Sequence, residues 1–223
     1  MQFTSHAIII EYLAFINNPD FPCVAARAAA ARQHITCLVT DSMACPKDDR
    51  EILQFLYNFV QVYRSAKDLF HSAAIIFKGP QSMDEEIFDK LMWQRLQGVS
   101  NLDAANYNYD KRVDANPASP DFSFSIMEEA FFIIGMHPGS SRHARSFQYP
   151  TLTFNPHAQF EQLRVTNNYT KMQSIVRKRD MVYSGSVNPM LTDFGKVSEV
   201  HQYSGRQYDK DWSCPIKIHH GKT

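Results

Sequence analysis

The stretch FSFSIMEEAFFIIGM, Phe122 to Met136, constrains the fold more than any other part of the chain. Two runs of strand-forming residues flank a short polar break at Met127-Glu128-Glu129, the pattern of a β-hairpin. A hairpin joins antiparallel neighbours, so the sheet cannot be built from βαβ units alone. Upstream, SHAIIIEYLAFIN and KDDREILQFLYNFVQVYRSA carry apolar residues at helical spacing, and the second opens on acids that suit the positive end of a helix dipole. SMDEEIFDKLMWQRLQGV reads as a further helix, with Ser82 and Glu85 in capping-box spacing. ARQHITCLVT, LFHSAAIIFKGP and YPTLTF read as strands. The sequence therefore predicts an α+β (mixed α/β) fold, with a partly antiparallel central sheet covered by helices. No internal repeat or long linker interrupts it, so residues 1–223 read as a single domain. The polar segment Asn101–Asp121 reads as a loop, either a lid or a plain connector.

Charge says where function can reside. The chain has 23 basic and 23 acidic residues, so no global field draws it to nucleic acid or to an anionic membrane. A charged ligand must then be held by a local cluster in a pocket. The longest apolar runs are too short to span a bilayer, and the N-terminus shows no basic leader before a cleavage site, so a cytoplasmic location is expected. Four cysteines, Cys23, Cys37, Cys45 and Cys214, form no CxxC or CxxCH, which argues against a structural zinc site and covalently attached haem. Fingerprints of Rossmann dehydrogenases, P-loop enzymes, serine hydrolases and zincins do not occur.

Two histidine-bearing turns stand out against this background. GMHPGSSR follows a strand, and Pro138-Gly139 forces a sharp turn that leaves His137 near the strand end with Ser140, Ser141, Arg142 and Arg145 close behind. FNPHAQFEQLR also follows a strand; Asn155 reads as a helix N-cap, Pro156 as the first helical residue and His157 as part of the first turn. Neutral imidazole is a good ligand for iron or zinc, and guanidinium groups grip propionates or phosphate oxygens. A rigid turn segment, GSVNPMLTDFG, and a turn-rich stretch carrying Glu199, His201, Tyr203, Arg206 and Cys214 complete the candidate region.

The motifs FPC, EEIFDKLMWQRLQ, HPGSSRHARSF, TFNPHAQFEQLR, SGSVNPMLTDFG and SEVHQYSGR...DWSCP follow one another from about Phe21 to Pro215. In this order they resemble the YqcI/YcgG family. Members include haem-dependent guanidine N-hydroxylases such as the guanitoxin-biosynthesis N-hydroxylase. The resemblance implies heme b (iron protoporphyrin IX), O2 or peroxide as oxidant, and a guanidine or amine of arginine-like type as the small-molecule substrate. It makes His137 and His157 the leading iron ligands, with Cys23 as a competing thiolate. Arg142 and Arg145 would clamp the propionates, with Tyr203 and Arg206 beside the cofactor; ARSF stands where ARRF is usual, leaving those two arginines to bind the anion. Glu199 is the expected substrate anchor, ahead of Asp193. Glu161, four residues after His157, would orient that imidazole or face the substrate. Without a flavin or nicotinamide fingerprint, electrons would come from an external donor, a ferredoxin or reductase, or from peroxide. A homodimer is expected from the frequency of such assemblies among soluble enzymes. Two other readings use the same residues: a non-catalytic haem-binding or haem-sensing protein, and a metal-dependent hydrolase built on His137, His157 and Glu161.

Overall fold

The structure is a computed structural model that describes residues 2–166, 168–186, 188, 190 and 195–221, without the side chains of 2–4 and 168. Helices α1 (Gln2–Asn17) and α2 (Val24–Ala31) precede strand β1 (Ile35–Ser42). Helix α3 (Asp49–Ser65), strand β2 (Ser72–Gly79) and helix α4 (Glu85–Asp103) follow. Strands β3 (Phe124–Ile126) and β4 (Glu129–Met136) form the hairpin, and β5 (Thr151–Pro156) leads into α5 (His157–Val165), α6 (Asn168–Ser184) and the short α7 (Val200–Tyr203).

The sheet runs in the order β1-β2-β5-β4-β3. β1 and β2 are parallel, while β2-β5, β5-β4 and β4-β3 are antiparallel. This is the mixed, partly antiparallel sheet expected from the hairpin. The turn between β3 and β4 consists of Met127 and Glu128, both in the left-handed region at φ 54° and 56°, which matches the twist of a two-residue hairpin. Asp103 takes on the strain of a non-glycine turn by accepting the Met127 N–H on both oxygens at 3.1 Å.

Alternation along the strands divides the core in two. Ala73, Ile75 and Phe77 of β2, Phe131 and Ile133 of β4, and Leu152 and Phe154 of β5 point to one face. Against them pack Leu56, Phe59 and Val60 of α3 and Phe88, Met92 and Leu96 of α4. A buried ion pair, Arg95 Nη1 to Asp49 Oδ1 at 2.7 Å, joins these two helices. Gly98 makes room for it, since a Cβ there would run into Asp49 Oδ2. On the opposite face, Ala74, Ile76 and Met136 meet Ile8, Tyr12 and Ile16 of α1. The two faces thus carry separate hydrophobic clusters.

Local chemistry differs from expectation at two helix starts. Helix α4 is capped by Asp84, whose Oδ1 accepts the Ile87 N–H at 2.8 Å, rather than by Ser82. Asn155 does not cap α5: it is the penultimate residue of β5, and its side chain is occupied by Ser72 Oγ and the Phe132 carbonyl, so the N-cap position falls to Pro156. The 104–121 segment is tied to the β3–β4 hairpin by hydrogen bonds, and its Pro120 reaches the cavity described below. Tyr109 Oη donates to the Ser123 carbonyl at 2.6 Å, and Asp110 accepts the Ala130 N–H and the Arg112 guanidinium. Among the described residues, no helix is long and apolar enough to cross a membrane.

Candidate functional site

A cavity of about 310 Å³ opens on the sheet face opposite α3 and α4. Its floor is a patch of strand residues fixed by register. Ser72 lies opposite Ile35, Thr153 lies between Ala74 and Ile134, and Asn155 pairs with Phe132. Tyr12 of α1 holds one floor residue, its hydroxyl 2.8 Å from Thr153 Oγ1. The roof is α6, which turns Met172, Val176 and Asp180 toward the space at helical spacing. Phe21, Phe132 and Phe160 make the walls largely apolar.

Two donors with affinity for iron sit on these walls. Cys23 is the N-cap of α2, with Sγ 3.5 Å from the Ala26 N–H. Burial pushes this thiol up, and the N–H groups of Ala26 and Ala25 pull it partly back, as a helix N-terminus favours thiolate. His157 is the first residue of α5 and is 8% exposed. Burial, with Arg164 and Arg112 adding to it, lowers its pKa to about 4, so the imidazole is neutral near pH 7. Its Nδ1 is 3.8 Å from Glu161 Oε1, the expected shared helix face, but Glu161 is half-exposed and is held more closely by Arg164.

The arginines and Glu199 also reach the cavity, in unequal states. Arg142 Nη2 is 2.6 Å from Asp180 Oδ2 and 2.9 Å from the Ser186 carbonyl, so its charge is already matched. Arg145 has no carboxylate partner among the described residues. Its Nη1 donates to the carbonyls of Gly135 at 3.1 Å and Tyr203 at 2.8 Å, and its Nη2 to Gln202 at 2.8 Å. It caps the last carbonyls of α7 as a buried cation, and burial brings its pKa down to about 10. Glu199 stands at the other end of α7, accepting Ser123 Oγ at 2.6 Å and bonding Tyr203 Oη. Burial raises its carboxyl to about 8 despite those hydrogen bonds.

The structure does not bring the remaining expected residues to the cavity. His137 lies on the other face, its ring stacked on Phe88 at 4.3 Å, because it follows Met136 in the β4 alternation and Met136 already points into the cavity. Its Nδ1 is buried without a partner, and burial lowers its pKa to about 4. The HPGSS turn docks on the start of α4, where Glu85 accepts both the Ser141 N–H and Oγ–H. Arg206 pairs with Glu86 at 2.7 Å and lies 3.8 Å from Asp89, not on Glu199. Tyr203 is wholly buried behind Glu199. Asp193 lies outside the described residues. His137 and His157 therefore do not share a site, and the described residues contain no group of three or more His, Cys, Asp or Glu placed to hold a metal ion. Asp180, which neutralises Arg142, carried no sequence signal beyond its place in the basic run RKRD.

Comparison with known proteins agrees with the motif order. The chain is 28% identical over 206 residues to "Uncharacterized protein YqcI" of Bacillus subtilis (strain 168), covering 88% of this chain and 80% of that protein. It is 25% identical over 222 residues to "Uncharacterized protein YcgG" of the same organism, covering 94% and 87%. No solved structure matches it. The profile of the YqcI/YcgG family matches residues 12–217, a span that includes Cys23, Arg145, His157 and Glu199, and the chain belongs to that family.

Proposed function

We propose that the cavity is the haem and substrate pocket of an N-hydroxylase acting on a guanidino or amino group of a small molecule. The observation that carries this reading is that one largely apolar cavity gathers Cys23, His157, Arg145 and Glu199. The donor set fits the cofactor. Cys23 and His157 offer a sulfur and a nitrogen donor from the walls; burial raises the Cys23 thiol against the opposing helix N–H groups, whereas the low pKa of His157 keeps a nitrogen lone pair free of protons. The uncompensated charge of Arg145 attracts a propionate, whereas Arg142 is already paired with Asp180. Haem, when bound, supplies activation of O2 or peroxide, with electrons from a ferredoxin or reductase when O2 is used.

The chain's own residues do the rest. Phe21, Phe132 and Phe160 exclude water, which strengthens every polar contact inside. Glu199 offers a carboxyl to a cationic substrate, and Ser123 and Tyr203 fix its direction. Asp180, Arg142 and Ser186 hold the end of α6 over the cavity, so the roof is tied to the turn after β4.

The test is a visible spectrum of the protein reconstituted with haemin, followed by oxygen-dependent turnover of a guanidine with reductant. A Soret band distinct from free haemin is expected, and Cys23→Ser or His157→Ala should shift or abolish it according to which residue ligates iron. His137→Gln should leave it in place. A spectrum identical to free haemin refutes the reading; a Soret band without turnover leaves a haem-binding protein that is not an enzyme.

A further inference from the structure

Glu199 is 6% exposed and lines the cavity, yet no cation lies within ion-pair distance of it among the described residues. Oε1 accepts from Ser123 Oγ and bonds Tyr203 Oη, while Oε2 has no partner among the described residues. A buried carboxylate kept only for structure would normally be matched by an arginine or lysine. The arginines nearby are otherwise engaged: Arg206 with Glu86, Arg145 with three carbonyls, and Arg164 with Glu161 and the Tyr169 ring.

Counting protons around Tyr203 shows that both charge states of Glu199 are accommodated. The Phe124 N–H donates to Tyr203 Oη at 3.2 Å, which leaves the single phenolic hydrogen to be placed. Two acceptors lie within its reach, the Phe131 carbonyl at 3.2 Å and Glu199 Oε1. When Glu199 is ionised, Tyr203 and Ser123 both donate to it. When Glu199 is protonated on Oε1, it donates to Tyr203, and Tyr203 donates to Phe131. Neither state strands a buried donor.

We propose that Glu199 is a proton-exchanging anchor: a cationic group entering the cavity docks on its free oxygen, and the proton of the carboxylic acid leaves to solvent. The balance is simple. A neutral acid and a guanidinium become a carboxylate-guanidinium pair and one released proton, with charge conserved and no redox change. This rests on the reading of the cavity as a substrate pocket, and it adds that binding of the cation is coupled to pH. The groups facing Glu199 are Tyr203 from α7, Tyr109 from the connector before β3, and Arg164 from α5. Burial outweighs the hydrogen bonds from Ser123 and Tyr203 and the favourable charge of Arg164, so Glu199 holds its proton at neutral pH.

Calorimetry on the full chain, with and without reconstituted haem, tests this. The probes are butylguanidinium and its neutral isostere butylurea, titrated in phosphate and in Tris at the same pH. From a carboxyl near 8, about 0.9 proton should be released per butylguanidinium at pH ~7 and almost none at pH ~9.5. Apparent affinity should rise about tenfold between pH ~7 and ~9. Butylurea should release no proton. Glu199→Gln should abolish proton release and weaken butylguanidinium by at least about tenfold while leaving butylurea unchanged. Ser123→Ala, which removes a bond to the ionised form, should move the midpoint of proton release upward, and it serves if the Gln variant fails to fold. Binding of butylguanidinium without proton release, equal binding by Glu199→Gln, or no binding of butylguanidinium overturns the proposal. The Soret band of the same samples reports on haem independently, so coupled binding without a Soret band would sink the haem reading alone.

Discussion

Replacing Arg145 by Ala should destabilise the empty protein by about 4 kcal/mol, and the size follows from what its guanidinium holds. Three backbone carbonyls, on Gly135, Gln202 and Tyr203, accept from it at 2.8 to 3.1 Å. At about 1.5–3 kcal/mol for each hydrogen bond to a charged donor, the gross loss is roughly 5–9 kcal/mol. Removing the cation also relieves its burial. A pKa brought down to about 10 from an ordinary 12.5 sets that relief at about 3 kcal/mol. The difference, roughly 2–6 kcal/mol, centres near the stated figure and agrees with the ~3–5 kcal/mol typical of breaking a buried charge network. Arg145→Lys keeps charge but not the fork, so about half the loss should remain. Urea unfolding at pH ~7 followed by circular dichroism measures both variants, with an unchanged slope confirming that the same surface is exposed. A loss below about 1 kcal/mol for Arg145→Ala would mean that the three carbonyls find water, and that the guanidinium is not what fixes α7 against β4.

Three further outcomes can be checked with the same assay. Gly98→Ala should cost about 3 kcal/mol, because the new methyl displaces Asp49 from Arg95 in a buried pair. Cys23→Ser should change stability by less than about 1 kcal/mol, since a hydroxyl caps α2 at least as well as a thiol; a larger loss would assign the sulfur a packing role. His137 and His157 both have pKa values lowered to about 4, so the unfolded chain binds protons that the folded chain refuses. Stability from this source is complete above pH ~6.5 and falls by about 3 kcal/mol per histidine as pH drops toward ~4. Gln at either position should flatten the pH profile, and a profile unchanged in both variants would refute the assignment.

Much of the sheet was legible because its signals are local. The break at Met127-Glu128 sets the hairpin, and the apolar spacing in α3 follows from which residues reach Phe131 and Phe154. Helix starts were less legible, since Asn155 and Ser82 have capping side chains whose use depends on what else they meet; Ser72 and Phe132 claim Asn155. The site failed at one point for a readable reason. Phe132, Ile134 and Met136 share a face, so parity alone sends His137 away from them toward Phe88. The cavity itself was not legible, because Tyr12, Cys23, Thr153 and Asp180 meet only through the folded chain.

The two faces of the single sheet have different freedom to change. On the α3/α4 face, large side chains such as Phe88, Phe124, Phe131 and Phe154 interlock with no exposure, and altering one disturbs its neighbours. Across the strands, α1, α2, α5 and α6 border the cavity, and a change at Met172 or Val176 alters its shape without touching the packed side. Substitution in the second layer can therefore change what the cavity accepts while the first layer preserves the fold. Sequence drift concentrated in α1, α2, α5 and α6 would mark divergence of ligand, and drift in α3 and α4 should come as compensated pairs.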